Sequence, residues 1–208
     1  DVPLRNSFIR ASDDCVCIKA ASYPDPAANR NVKNILVEHC VLWNAEPGNA
    51  VEIGYEVRCD EISDITFRDL DIVHCEYEGN QSGGVLTIHN ADRAHIHDIV
   101  YEDIRVEDAQ EKFVDIKVLD SKYSLDRKRG SVENIYFRNV EILNGNFPVS
   151  IIRGFEMHTE MSRPRNIYFD NVVVLGKQVE SPSDLHMVVE LSDDILFNGT
   201  AHAKRNPF

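Results

Sequence analysis

Asn134-Ile-Tyr-Phe-Arg-Asn-Val-Glu141 and Asn166-Ile-Tyr-Phe-Asp-Asn-Val-Val173 are near copies of one another. The same phrase occurs three more times upstream, as Asn34-Ile-Leu-Val-Glu-His-Cys-Val41, Asp64-Ile-Thr-Phe-Arg-Asp-Leu-Asp71 and Asp98-Ile-Val-Tyr-Glu-Asp-Ile-Arg105. Successive copies start 30, 34, 36 and 32 residues apart. Each opens on a turn-favouring Asn or Asp, continues through alternating β-branched or aromatic residues, and meets a second polar residue five positions on. This predicts a strand, a tight corner and a second strand, repeated along the chain.

Between the copies lies a second alternating series: Val16-Cys-Ile18, Val51-Glu-Ile53, Leu86-Thr-Ile88, Val114-Asp-Ile116, Val149-Ser-Ile151 and, more weakly, Val188-Val-Glu190. The first five start at intervals of 35, 35, 28 and 35 residues, so two strand series interleave with a common period. No helical i, i+3, i+4 stripe persists for three turns, no Leu-x-x-Leu-x-Leu signature is present, and no four-strand blades joined by hairpin turns are seen. Short β-branched strands with polar corners and one period per coil fit a parallel β-solenoid, in which each coil buries its inward side chains only by stacking on its neighbours. The expected fold is all-β: one right-handed parallel β-helix domain over residues 1–208, of about five to six coils, its handedness following from the crossover rule. The chain starts at Asp1-Val2-Pro3 without Met and reads as a processed or excised piece lacking its N-terminal coils, with an open end through which it would self-associate. Lateral loops are expected at 20–32, 76–84, 119–131 and 154–164, the second made flexible by Gly79, Gly83 and Gly84.

Composition narrows the function. With 22 Lys and Arg against 35 Asp and Glu, the net charge of −13 argues against nucleic acid or an anionic membrane surface, both of which demand a basic face. No apolar run approaches the roughly 18 residues of a membrane span. The five cysteines, Cys15, Cys17, Cys40, Cys59 and Cys75, match neither a paired zinc-knuckle spacing nor a dense disulfide scaffold, and read mainly as small buried hydrophobes. No metal and no other cofactor is called for. His95-x-His97 belongs to an alternating strand without a matching third ligand.

With Val16, Val51, Leu86, Val114 and Val149 in one inward ladder, period-two alternation sends Cys17, Glu52, Thr87, Asp115 and Ser150 outward in one column. Lys19, Gly54, His89, Lys117 and Ile152 form the next, so charges of both signs are expected on one exposed sheet face. Asp13-Asp14 precedes the first of these strands. Acetal hydrolysis needs one carboxylic acid to protonate the leaving oxygen and one carboxylate to activate water, and adjacent residues can share that task only where a corner splays them. The alternative is an ordinary Ser-Asp-Asp turn. Glu52 and Glu56 flank Gly54-Tyr55, and a Tyr near carboxylates suits stacking on a sugar ring. His89 with Asn90, Asp92 and Arg93 forms a further polar cluster.

Ser12-Asp-Asp-Cys-Val-Cys-Ile-Lys19 resembles the Asp-Asp-Cys-Ile-x-Ile-Lys motif of the polygalacturonase-like glycoside hydrolases of family 28, which are right-handed parallel β-helices. Gly48-Asn-Ala-Val-Glu-Ile-Gly54 resembles that family's Gly-His-Gly-Ile-x-Ile-Gly, and the stretch 50–74 is similar to dextranase-type β-helix enzymes. The resemblance implies inverting hydrolysis of a polysaccharide or oligosaccharide, with Asp13 and Asp14 catalytic. Substrate would be bound by Lys19, Asn49, Glu52, Tyr55, Glu56, His89, Asp92, Arg93, Asp115 and Lys117. It also implies a secreted or periplasmic setting for the parent protein. The family's His is replaced by Asn49, no Arg-x-Lys clamp is present, and the family's upstream Asp would precede Asp1, so a neutral or weakly charged glycan is expected. The rival reading is a non-catalytic carbohydrate-binding or structural β-helix fragment.

Overall fold

The structure, a computed structural model, describes residues 1–21, 25, 29–76, 83–110, 112–145 and 149–201. Strands account for 62% of the chain and helix for 2%, and parallel sheets wind into a β-solenoid of about five turns. In chain order the strands are β1 (Val2–Arg5), β2 (Phe8–Ala11), β3 (Val16–Ala20), β4 (Val32–Asn44), β5 (Val51–Val57), β6 (Glu61–Cys75), β7 (Leu86–Asn90), β8 (His95–Val106) and β9 (Val114–Val118). They continue as β10 (Ser131–Ile142), β11 (Ser150–Arg153), β12 (Phe155–Met157), β13 (Glu160–Ser162), β14 (Arg165–Val174), β15 (Lys177–Gln178), β16 (Met187–Glu190), β17 (Asp193–Phe197) and β18 (Thr200–Ala201). Long strands β4, β6, β8, β10 and β14 stack in one sheet, and short strands β3, β5, β7, β9, β11 and β16 in the other.

The five sequence copies are the long strands. Each copy bends at two single residues: Asn34, Asp64, Asp98, Asn134 and Asn166, and five positions on His39, Asp69, Asp103, Asn139 and Asn171, all have φ between 50° and 56°. Asn and Asp tolerate this left-handed conformation better than other non-glycine residues, so the strand bends there without ending. A sixth, shortened copy, Asp194-Ile-Leu-Phe-Asn198, bends at both ends with φ of 52° and 48°, four residues apart where the others have five. It is too degenerate to stand out by spacing.

Ile65, Ile99, Ile135 and Ile167 align in register in the interior, as do Phe67, Tyr101, Phe137 and Phe169, whose rings stack at 4.7–5.0 Å. Val16, Val51, Leu86 and Val114 form the facing ladder as expected. The fifth coil is offset by one residue from the expected alternation. Ile152 pairs with Ile116 and is buried, while Ile151 falls in the Asp115 column. Both isoleucines suit the core, so Arg153 decides: its guanidinium must reach solvent, where it pairs with Glu190 at 2.6 Å. The expected lateral loop at 154–164 contains the antiparallel hairpin β12–β13. Much of the loops at 20–32 and 76–84, Gly79 included, lies outside the described residues.

Three cysteines, Cys40, Cys59 and Cys75, are buried as expected, whereas Cys15 is half-buried and Cys17 exposed.

Candidate functional site

Asp13 and Asp14 sit at the corner between β2 and β3, and the next coil is built to receive them. The Asn44 amide donates to the Asp13 carbonyl at 2.8 Å. A Cβ on Gly48 would lie 2.5 Å from the Asp13 carbonyl carbon, so only glycine lets the second coil pack directly beneath the pair. Asn49 then donates twice to Asp14 Oδ1, from its backbone at 2.9 Å and its amide at 2.7 Å, while its own Oδ1 accepts from the Gly84 N–H at 2.9 Å. The corner gives the two carboxylates different surroundings. Asp13 is exposed, with Oδ1 accepting the Asp14 N–H, and Asp14 is half-buried. Burial, reinforced by the Glu52 charge, raises the Asp14 pKa, and the hydrogen bonds from Asn49 only partly oppose this.

The charged column expected on an open sheet face is in fact buried. Glu52, Thr87, His89, Asp115 and Ser150 are each 1% exposed or less, and Lys117 is 8% exposed. Alternation gave the outward direction of Glu52, Thr87, His89, Asp115 and Lys117 correctly but not that of Ser150, which the one-residue offset of the fifth coil moves out of this column. The face is crowded by Tyr55, which stacks on His89, and by Lys112 beside Asp115, and neither contact leaves a periodic trace in sequence. Buried charges must find one another. His89 Nδ1 lies 3.0 Å from Glu52 Oε1, and Thr87 donates to the other Glu52 oxygen. His89 Nε2 is 3.3 Å from Asp115 Oδ2, within ion-pair range but without hydrogen-bond geometry. Lys117 and Lys112 approach the same Asp115 oxygen at 2.8 and 3.6 Å. Burial disfavours a charged His89, yet the flanking carboxylates of Glu52 and Asp115 outweigh it and push its pKa up to about 9. Asp115 is likewise held below the usual carboxylate range: burial opposes this, but His89 and the two lysines prevail. A Cβ on Gly54 would lie 2.2 Å from the His89 carbonyl oxygen and 3.0 Å from Glu52 Oε1, so glycine is what lets β5 and β7 close over this cluster.

Tyr55 stacks on His89, with ring centroids 4.5 Å apart and planes at 24°, and is half-buried rather than open. Beside it, Glu56 pairs with Lys19 of the preceding coil at 3.0 Å. Asp92 and Arg93 do not join the site. Asp92 is fully buried and accepts the N–H groups of Val57, Leu125 and Asp126, and Arg93 bridges Asp60 and Asp126, so both anchor the loop at 119–131. A buried carboxylate that caps three backbone donors serves the fold and is not available to a substrate.

Three residues of this region were not legible as site residues. Lys112 precedes β9 with no pattern to mark it, Cys17 donates to the Gly54 carbonyl at 3.4 Å, and Tyr123 is brought to Tyr55 by the loop at 119–131. His95 and His97 are paired with Glu133, Asp98 and Glu61, and among the described residues no three His, Cys, Asp or Glu side chains are grouped to hold a metal ion. The outer face of the first coils therefore offers one half-buried carboxylic acid with raised proton affinity, one solvent-facing carboxylate, and a Tyr beside an ion pair. No protein-family model and no curated protein matches the chain, so these residues are read on their geometry.

Proposed function

We propose that the chain acts on a polysaccharide or oligosaccharide as an inverting glycoside hydrolase of the polygalacturonase-like kind, with Asp14 as general acid and Asp13 as general base. The observation that carries this reading is the contrast within one corner: Asp14 is half-buried with a raised pKa, and Asp13 faces solvent. A raised pKa shifts a carboxyl group toward the protonated form that a general acid needs, the form that gives its proton to the glycosidic oxygen as the bond to the anomeric carbon breaks. Water attacks that carbon from the opposite face, and the proton it loses passes to Asp13. Inversion requires the two carboxyl groups to stand roughly 6.5–9.5 Å apart with water between. Asn49 is buried with its amide committed to Asp14 and Gly84, so it positions Asp14 and not the substrate, and it exchanges no proton near neutral pH. Such a substrate goes with a secreted or periplasmic setting.

The test is release of reducing ends from a panel of neutral and uronic polysaccharides, with the anomer of the first product read by NMR. Asp14→Asn is expected to lower kcat by about 10²-fold or more, with thermal stability nearly unchanged. Full activity in both Asp14→Asn and Asp13→Asn would remove the assignment. The burial of Glu52, His89 and Asp115 favours a second reading, because it leaves few accessible acids on this face. In that reading the chain binds glycan without cleaving it, and wild-type protein shows affinity but no product.

A further inference from the structure

We propose that Tyr123 and Tyr55 together form a pyranose-stacking subsite of this same site, a reading that rests on the glycan-directed function above. Tyr123 is 43% exposed, and its ring meets Tyr55 at a centroid distance of 5.5 Å and a tilt of 54°, so the two rings make a corner. Tyr55 is fixed from behind by His89. Lys122 Nζ lies 4.9 Å from the Tyr123 ring centre, and the Lys19–Glu56 ion pair borders Tyr55 along the chain.

The loop that carries Tyr123 is held far more firmly than a surface loop of this length requires. Asp92 Oδ1 accepts the backbone N–H groups of Leu125 and Asp126, each at 2.7 Å. The Arg129 side chain, 3% exposed, donates to the carbonyls of Ala91, Leu119 and Asp126 and to Ser124 Oγ. Asp126 in turn pairs with Arg58 at 2.9 Å and Arg93 at 3.0 Å. Ser121 and Ser124 bond each other's backbone, and the Tyr123 N–H donates to Ser121 Oγ at 3.1 Å. This network ties down the backbone on both sides of Tyr123 and leaves nearly half of the residue exposed to water. An exposed aromatic ring ordered this way gives the fold little, since its apolar face stays hydrated. It does give a ligand a preorganised surface, with the ordering cost met during folding and not on binding.

A pyranose has the matching shape: a face of axial C–H bonds that packs on an aromatic ring, and a rim of hydroxyls for neighbouring polar groups such as Lys19 and Glu56. Unlike the buried His89 cluster, this surface is accessible, and it continues along the solenoid from the strand that follows Asp14. The exposure of Tyr123 also means that its truncation should not disturb folding.

The experiment measures binding and kinetics of the wild type and of Tyr123→Ala, Tyr123→Phe and Tyr123→Trp on cello-, xylo-, manno- and isomalto-hexaose and on hexagalacturonate. For whichever oligosaccharide the wild type takes, Tyr123→Ala is expected to weaken binding about tenfold. KM rises while kcat changes little, and melting temperature stays within about a degree of wild type. Phe and Trp retain affinity, because the ring and not the hydroxyl makes the contact. Unchanged affinity in Tyr123→Ala, with wild-type binding intact, overturns the subsite and leaves the glycan reading standing. A wild type that binds none of the five overturns both.

Discussion

Tyr101 stands between Phe67 and Phe137 in the interior aromatic ladder, its ring stacked on theirs at 5.0 and 4.9 Å, and its hydroxyl is buried without a hydrogen-bond partner. An unsatisfied buried hydroxyl forfeits its hydration and gains nothing in return. Tyr101→Phe removes one oxygen and keeps the stack, so it is expected to stabilise the protein by about 1 kcal/mol in urea unfolding. A loss of stability instead would mean that the hydroxyl is satisfied in solution. Gly54 makes the opposite case. Its φ is 135°, and a Cβ there would meet the His89 carbonyl oxygen at 2.2 Å, a backbone atom that cannot rotate away. Gly54→Ala must therefore separate β5 from β7 as well as strain the backbone, at a cost on the order of 3 kcal/mol. Equilibrium unfolding with unaltered stability would contradict that packing.

At the scale of the strands, register turns scattered charges into a ladder. Arg5, Glu38, Arg68, Glu102, Arg138 and Asp170 occupy equivalent positions on six successive strands, so the sign alternates from coil to coil. Arg5 pairs with Glu38 at 2.7 Å, and Arg68 pairs with Glu38 and Glu102. The Arg68 hydrogen bond, ahead of the Arg5 charge, holds the Glu38 carboxyl below its ordinary range. Like charges opposite one another on adjacent strands repel, so a shift by one coil or one residue breaks the alternation, and the ladder favours a single stacking. Arg68→Glu would place three carboxylates in a row. The melting temperature is expected to fall, more so at low salt, and to recover in part when Glu38→Arg is added. Equal loss in single and double variants would show that the positions do not interact. The ladder also marks the limit of what the sequence reveals. Period and alternation expose the coils and the inward ladders, since both are set by neighbours along the chain. The partners of Arg68 depend on register, the parity of Ile151 and Ile152 depends on where Arg153 finds solvent, the burial of His89 depends on Tyr55, Glu52 and Asp115 of the neighbouring coils, and the diversion of Asp92 depends on the loop at 119–131. These are contacts between coils, and one strand read alone carries no record of them.

Because each coil of a solenoid touches only its neighbours, a destabilised cluster in the middle of the stack weakens the whole. The cluster at the centre is His89, faced by Glu52, Asp115, Tyr55 and Thr87, with Lys112 and Lys117 behind Asp115. Its pKa rises from 6.5 to about 9 in the fold, because the two carboxylates overcome the burial penalty on the imidazolium. A group with a raised folded pKa stabilises the native state fully below its unfolded pKa and loses that contribution as pH rises through the folded value. Stability should therefore decline between about pH 6.5 and 9 by an amount on the order of 3 kcal/mol. Asp115 acts in the other direction, its lowered pKa giving stability that is lost only well into acid. His74 is also raised, against the burial penalty, by Glu76 and Asp108, but it lies near the surface, where solvent screening leaves it a small share. Unfolding in urea at pH 6, 7, 8 and 9 on wild type and His89→Gln isolates the cluster. The variant should be weaker at every pH, since Glu52 and Asp115 lose their partner, yet flat across the window in which wild type declines. A wild-type curve that is flat or rising between pH 6.5 and 9 would show that His89 enters the fold neutral. Glu52 and Asp115 would then have to be held by Thr87 and the two lysines alone.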